Sequence, residues 1–81
     1  MENRNEFMVH LDSVTDVQAF VGIATLKKHP IFLDDSRARV NAKSFLQLFS
    51  LRLTCPLRVT AQCSDEEFER LRFEAANYLY V

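Results

Sequence analysis

The chain has 81 residues, of which 48% are hydrophobic and 26% charged, and its net charge is −1. This composition excludes disorder caused by low hydrophobicity, and the length predicts a single domain, residues 1–81, with a small core. The mixed charges exclude a basic face for nucleic acid or membrane, and no apolar run reaches the roughly 18 residues of a membrane span. The first seven residues lack the apolar centre of a signal peptide, so we expect a cytoplasmic protein.

The two cysteines, Cys55 and Cys63, leave two possibilities open. A disulfide between them is possible, but free thiols are the better expectation in a chain without a secretion signal. A metal site would need more ligands, and neither His10 nor His29 stands at a metal-binding spacing from a cysteine. The sequence also lacks a nucleophile–base pair and a glycine-rich phosphate loop. We therefore predict no metal, no cofactor and no enzymatic activity.

The chain begins with a predicted strand and helix. Residues 7–11 alternate between apolar and polar, which is typical of a strand with one buried face. Ser13 and Asp16 are spaced like a capping box, although Glu or Gln is the usual partner. The apolar residues that follow recur at helical spacing and predict a helix to about residue 28.

A β-hairpin is predicted next. Residues 31–33 and 38–40 have the apolar character of short strands. Residues 34–37 predict the turn between them, because Asp and Ser side chains hydrogen-bond their own backbone. The two-residue loop of the hairpin is predicted at Asp35 and Ser36.

The second half of the chain predicts a helix, a strand and a final helix. Residues 44–51 form the short second helix, and residues 57–63 alternate as the fourth strand. Ser64 and Glu67 form an S-x-x-E capping box that starts the last helix. One stripe of this helix carries Phe68, Leu71, Ala75, Tyr78 and Leu79. The order β-α-β-β-α-β-α predicts an α/β (α+β) two-layer sandwich in which helices cover one face of the sheet.

The segment NAKSFLQLFSLRL, residues 41–53, follows the predicted hairpin and resembles the regulatory-serine segment of the HPr family. These proteins are the histidine-containing phosphocarriers of the bacterial sugar phosphotransferase system (PTS). The resemblance extends over residues 7–79 and includes the hairpin and the N-x-K-S entry to the second helix. It implies an HPr-like open-faced sandwich, with a mainly antiparallel four-stranded sheet under three helices, and a role connected with carbohydrate transport.

The phosphate-carrying residues of that family do not match this chain. Family members carry the phosphoryl group on a histidine at the start of the first helix, with an arginine two residues later and then a proline. These positions fall on Ser13, Thr15 and Asp16. A phosphoserine is a stable ester that cannot replace phosphohistidine as a carrier, and Asp16 would repel phosphate. The resemblance therefore implies a member without the active-site histidine, similar to the catabolite-repression HPr homologue, which keeps the serine.

Ser44 has two compatible interpretations. With Gln47 it forms an S-x-x-Q capping box, and such a cap stabilises a helix by about 1 kcal/mol. It also resembles the serine that an ATP-dependent HPr kinase phosphorylates in many family members. A phosphate there would add a charge of about −1.5 to −2 beside free N–H groups at the helix start.

The apolar residues after Ser44 divide into two sets by helical spacing. The core set is Leu48, Leu51 and Leu53. The resemblance implies that the second set forms an exposed patch that docks kinases, transporter domains and a transcriptional regulator. With one residue from the first helix, this set is Phe45, Leu46, Phe49 and Phe20. The alternative is that the small core takes these residues in.

Two positions depart from a family preference for glycine. Ser36 lies in the hairpin and Arg52 follows the second helix. A positive φ is unfavourable for both, so we expect the second helix to end differently from that of relatives.

Three functions remain open on the sequence. The leading hypothesis is a non-carrier regulatory protein that binds HPr kinase, a transcriptional regulator or a PTS component through the surface around Ser44. The second is a phosphocarrier that uses an atypical residue such as His10. The third is a structural adaptor or oligomerisation module.

Overall fold

The computed structural model describes residues 5–80, whose elements follow the predicted order. The strands are β1 (Glu6–Val9), β2 (Ile31–Asp34), β3 (Arg39–Asn41) and β4 (Leu57–Ala61). The helices are α1 (Val14–Thr25), α2 (Phe45–Leu48) and α3 (Asp65–Glu74), followed by a 3-10 turn at Ala76–Tyr78. No helix in this part of the chain has both the length and the apolar character needed to cross a membrane.

The strands form one antiparallel sheet in the order β1-β4-β2-β3. β4 lies inside the sheet because it pairs with β1 on one side and β2 on the other. Its burial alternates, with Leu57, Val59 and Ala61 in the core and Arg58 exposed. The helices cover the apolar face, to which they contribute Val17, Phe20, Ala24, Leu48 and Leu71. The predicted fold class, an open-faced two-layer sandwich, is confirmed.

α1 is shorter than predicted. It ends at Thr25, about three residues before the expected end at residue 28. The N–H groups of Leu26 and Lys27 donate to carbonyls three residues back, at 3.3 and 3.1 Å, which tightens the last turn. The chain then turns towards Pro30 and β2, so Lys27 and Lys28 lie beyond the helix.

The apolar stripe predicted for the last helix does not lie on one continuous helix. α3 ends at Glu74, and beyond the 3-10 turn the chain runs along the free edge of β1. The N–H of Tyr80 donates to the carbonyl of Met8 at 2.9 Å, and the N–H of His10 donates to Tyr78 at 2.8 Å. These bonds satisfy part of the β1 edge, which would otherwise expose unpaired backbone groups.

The hairpin loop lies one residue later than predicted. The N–H of Asp35 donates to the carbonyl of Ala38 at 3.2 Å, so the two loop residues are Ser36 and Arg37. Ser36 has φ of 76° and is the only non-glycine residue with positive φ in residues 5–80. Positive φ is the backbone region that glycine adopts most easily, so a serine is strained at this position.

The second helix is shorter than the predicted range 44–51, because it ends at Leu48. α2 comprises four residues, and Phe49 closes it with an ordinary helical φ of −74°. Arg52 does not adopt a positive φ. Its N–H donates instead to a carboxylate oxygen of Asp35, at 2.8 Å.

Candidate docking surface

The turn before α2 is built from local hydrogen bonds. The side chain of Asn41 accepts from the N–H of Lys43 at 2.9 Å, and its carbonyl accepts from Ser44 at 3.0 Å. The N–H of Ala42 donates to the carbonyl of Ile31 at 2.9 Å, which attaches the turn to β2. The start of α2 is therefore held against the sheet.

Ser44 is the N-cap of α2, as predicted, but the capping box is incomplete. Its hydroxyl oxygen accepts from the N–H of Gln47 at 3.4 Å, a long bond. The side-chain oxygen of Gln47 accepts from Asn41 at 3.2 Å and not from the N–H of Ser44. The predicted reciprocal bond is wrong because the carbonyl of Asn41 already accepts that N–H. Because α2 has a single turn, its dipole would also attract a phosphate on Ser44 less strongly than that of the longer helix predicted from the sequence.

Three apolar side chains of the 45–49 segment form what we call the docking patch: Phe45, Leu46 and Phe49. Leu46 is 80% exposed and Phe49 is 41% exposed. Phe45 is half-buried against the core, and its ring meets that of Phe49 edge to face with centroids 5.0 Å apart. This geometry is favourable for aromatic pairs, so the contact with Phe45 stabilises the position of the Phe49 ring.

Phe20 does not belong to this patch. Its side chain is completely buried, because it lies on the face of α1 that packs against the sheet, together with Val17 and Ala24. The prediction that placed it on the surface is wrong. The core set is as expected: Leu48 and Leu51 are buried, and Leu53 packs half-buried against the core.

The start of α1 lies close to the docking patch. Ser13 is the N-cap, and its hydroxyl accepts from the N–H of Asp16 at 3.2 Å. The carboxylate of Asp16 accepts from the N–H of Asp12 at 2.9 Å, and Thr15 is exposed. A groove of about 490 Å³ connects this helix start with the patch, since its walls include Ser13 and Phe49. Val14, Leu53 and Thr54 also line the groove, and their spacing in the sequence did not indicate this.

His10 lines the same groove. Its Nε2 is 3.2 Å from a carboxylate oxygen of Asp12, and its side chain is 39% exposed. The ring also makes an edge contact with Tyr80, at 6.3 Å between centroids. His10 comes just after β1 rather than within it, because β1 ends at Val9.

Comparison with known proteins supports the fold. No family model matches the chain, and no curated protein matches it. Among solved structures, it is similar to HPr-C-His from Thermoanaerobacter tengcongensis, with a TM-score of 0.70 and 21% sequence identity. The match covers 91% of this chain and 89% of the other. The chain therefore has the HPr-like fold.

Proposed function

We propose that this chain is a cytoplasmic, non-enzymatic regulatory protein of the PTS, which binds a protein partner through the docking patch and is switched by phosphorylation of Ser44. The observation that carries the proposal is the exposure of Leu46 and Phe49, at 80% and 41%, within five residues of Ser44. A domain of this size has few large apolar residues to spare, and adjacent exposed ones are typical of an interaction surface.

The first partner of this surface is HPr kinase. A kinase that acts on Ser44 has to cover the neighbouring turn of the chain, which carries Leu46 and Phe49. In the reaction, the hydroxyl oxygen of Ser44 attacks the γ-phosphorus of ATP, ADP leaves, and the hydroxyl proton passes to a base on the kinase. The product adds about −1.5 to −2 of charge to an apolar patch, which selects a second partner, a transcriptional regulator that pairs the phosphate with arginine.

The proposal gives the chain no phosphate-carrying role. At the start of α1, the hydroxyl of Ser13 already serves as the helix cap, and the carboxylate of Asp16 adds negative charge where a phosphate would have to lie. His10 is the residue that the alternative carrier function would use, since it is half-exposed and paired with Asp12. Experiments with two phosphoryl donors distinguish these functions.

The first experiment uses radiolabelled ATP and HPr kinase. We expect acid-stable label on Ser44 that is absent from Ser44→Ala and retained in Ser50→Ala, which removes an exposed serine nearby. Leu46→Asp should raise the KM of the kinase for this protein by about tenfold or more. An apolar side chain that becomes buried at the centre of a protein interface typically contributes that much to binding. Phe73→Asp is the matched control, since Phe73 is 81% exposed on α3. If Ser44 is not labelled, the proposed phosphorylation switch is wrong. If Leu46→Asp and Phe73→Asp have equal KM values, the docking patch does not bind the kinase.

The second experiment uses phosphoenolpyruvate and the first enzyme of the PTS. We expect no acid-labile label on the chain. Label that disappears in His10→Gln would establish the carrier function instead. A stable dimer in sedimentation that Phe49→Asp dissociates would favour the third possibility, an adaptor or oligomerisation module.

A further inference from the structure

His29 and Cys63 lie next to each other just beyond the start of β2 and the end of β4. The N–H of Gln62 donates to the carbonyl of Pro30 at 3.1 Å, so antiparallel pairing of β2 and β4 continues one step beyond the strands. This register brings His29 opposite Cys63. Both are half-buried, and Cys63, like Cys55, is a free thiol.

The capping box of α3 adds a carboxylate to the same corner. Glu67 folds back over the helix start, where its Oε1 accepts from the N–H of Ser64 at 3.1 Å and from its hydroxyl at 3.2 Å. These bonds use one oxygen of the carboxylate and orient the other. His29, Cys63 and Glu67 each offer one ligand atom, and these three atoms lie within 4.8 Å of one another.

A second observation concerns the imidazole itself. Nδ1 of His29 is buried and has no hydrogen-bond partner among the described residues. Buried polar atoms without a partner are rare in proteins, because losing the bond to water is unfavourable unless another group replaces it. His29 and Glu67 also line a groove of about 520 Å³, whose walls include Lys28 and Arg70.

We propose that His29, Cys63 and Glu67 form a binding site for a divalent transition-metal ion, Zn²⁺ in the first place, with water from the groove as the fourth ligand. Imidazole nitrogen, thiolate and carboxylate are the ligands of zinc, and the sulfur disfavours Mg²⁺ and Ca²⁺. Zinc–ligand bond lengths set donor atoms about 3.3 to 3.7 Å apart. Since the three atoms lie within 4.8 Å of one another, no pair has to approach by more than about 1.5 Å. Glu67 is exposed, and the bonds from Ser64 occupy only one oxygen of its carboxylate, so the other oxygen can turn towards the ion.

Two of the three side chains have shifted pKa values in the metal-free structure. Burial, and then the charges of Glu67 and Asp65, raise the pKa of the Cys63 thiol above its ordinary value. Hydrogen bonds from the backbone and hydroxyl of Ser64 lower the pKa of the Glu67 carboxyl. Metal binding has to displace the proton of the Cys63 thiol, because the thiolate is the form that binds zinc.

The position of the site indicates a structural role. The ion would join the segment before β2 to the connection between β4 and α3 and to the first turn of α3, which follow 34 or more positions later in the sequence. Small domains with limited cores often gain stability from such a metal link.

Titration of the reduced protein with Co²⁺, followed by competition with Zn²⁺, tests the site. We expect one equivalent of Co²⁺ to give visible bands of tetrahedral geometry and a thiolate-to-metal charge-transfer band, both removed by Zn²⁺. Cys63→Ser should abolish the charge-transfer band. His29→Gln and Glu67→Gln should each weaken Zn²⁺ binding by about 100-fold or more, since even groups that only orient a ligand contribute 10- to 100-fold.

Matched controls exist for two of the ligands. Cys55→Ser and His10→Gln should leave the spectrum and the affinity unchanged. Glu67→Gln keeps an amide oxygen able to accept from Ser64, and circular dichroism confirms that each variant is folded. The proposal is overturned if Co²⁺ gives no charge-transfer band with the folded wild-type protein, or if Cys63→Ser binds Zn²⁺ as tightly as Cys55→Ser.

Discussion

The carboxylate of Asp35 joins the β2–β3 hairpin to the segment after α2 by accepting the N–H of Arg52, at 2.8 Å. Its other oxygen accepts from the N–H groups of Arg37 and Ala38, both at 2.9 Å. The bond from Arg52, followed by that from Ala38, lowers the pKa of Asp35 below its ordinary value. One side chain thus closes the hairpin loop and holds the chain that leads away from the docking patch.

This contact predicts a pH-dependent effect of Asp35→Asn. Because the folded-state pKa is lowered, the ionised carboxylate stabilises the fold above the pKa of the unfolded chain, and this contribution is lost as pH falls through the folded-state pKa. Thermal melts should show a lower Tm for Asp35→Asn at neutral pH, with a difference that shrinks below about pH 4. Arg52→Ala retains the N–H and should keep most of the wild-type pH dependence. A difference in Tm that does not change with pH would contradict this assignment.

Replacement of Ser36 by glycine should stabilise the protein slightly. Relief of a positive φ is worth about 1 to 2 kcal/mol, and the greater freedom of glycine in the unfolded chain offsets about 0.5 to 1 kcal/mol of it. We expect a net gain of about 0.5 kcal/mol in the free energy of unfolding, measured by urea denaturation. Ser36→Ala retains the strain and should show no gain, whereas equal stabilisation by both variants would exclude backbone strain as the cause.

Ser64→Ala should destabilise the protein through loss of the α3 cap. Ser64 accepts from the N–H of Glu67 at 3.2 Å, and removal of such a cap costs about 1 kcal/mol. Urea denaturation measures the change in unfolding free energy. Ser64→Thr keeps a hydroxyl in place and should recover most of it. If Ser64→Thr is as unstable as Ser64→Ala, the hydrogen bond is not what stabilises α3.

Truncation of Phe20 should destabilise the protein far more than truncation of Leu46. Phe20 is fully buried, so Phe20→Ala should lower the unfolding free energy by about 3 to 5 kcal/mol, which is much of the stability of a small domain. Leu46 is 80% exposed, so Leu46→Ala should change it by no more than about 0.5 kcal/mol. Phe20→Leu retains most of the volume and should remain folded for comparison. A large loss of stability in Leu46→Ala would show that the docking patch belongs to the core.

Apolar spacing and local hydrogen bonding could be predicted from the sequence. The caps at Ser13, Ser44 and Ser64 each form a bond to the N–H three residues later, a contact within one turn that needs nothing from the rest of the chain. The element order also follows from apolar periodicity, because each strand or helix must turn one face to a common core. Gln47 shows the limit of this reasoning, since its side chain bonds Asn41 rather than closing the predicted box.

The candidate sites depended on contacts that no local pattern records. Phe20 and Phe49 are the same residue type, yet one is buried and the other is exposed, because the sheet covers α1 but leaves one side of α2 open. His29 and Cys63 lie 34 positions apart in the sequence and come together only through the register of β2 with β4. The sequence by itself determined which segments become strands and helices and how the helices begin, since those choices depend on neighbours within a few residues. The tertiary structure decided where helices end, which side chains stay in solvent and which distant side chains meet, because these depend on surfaces supplied by distant segments.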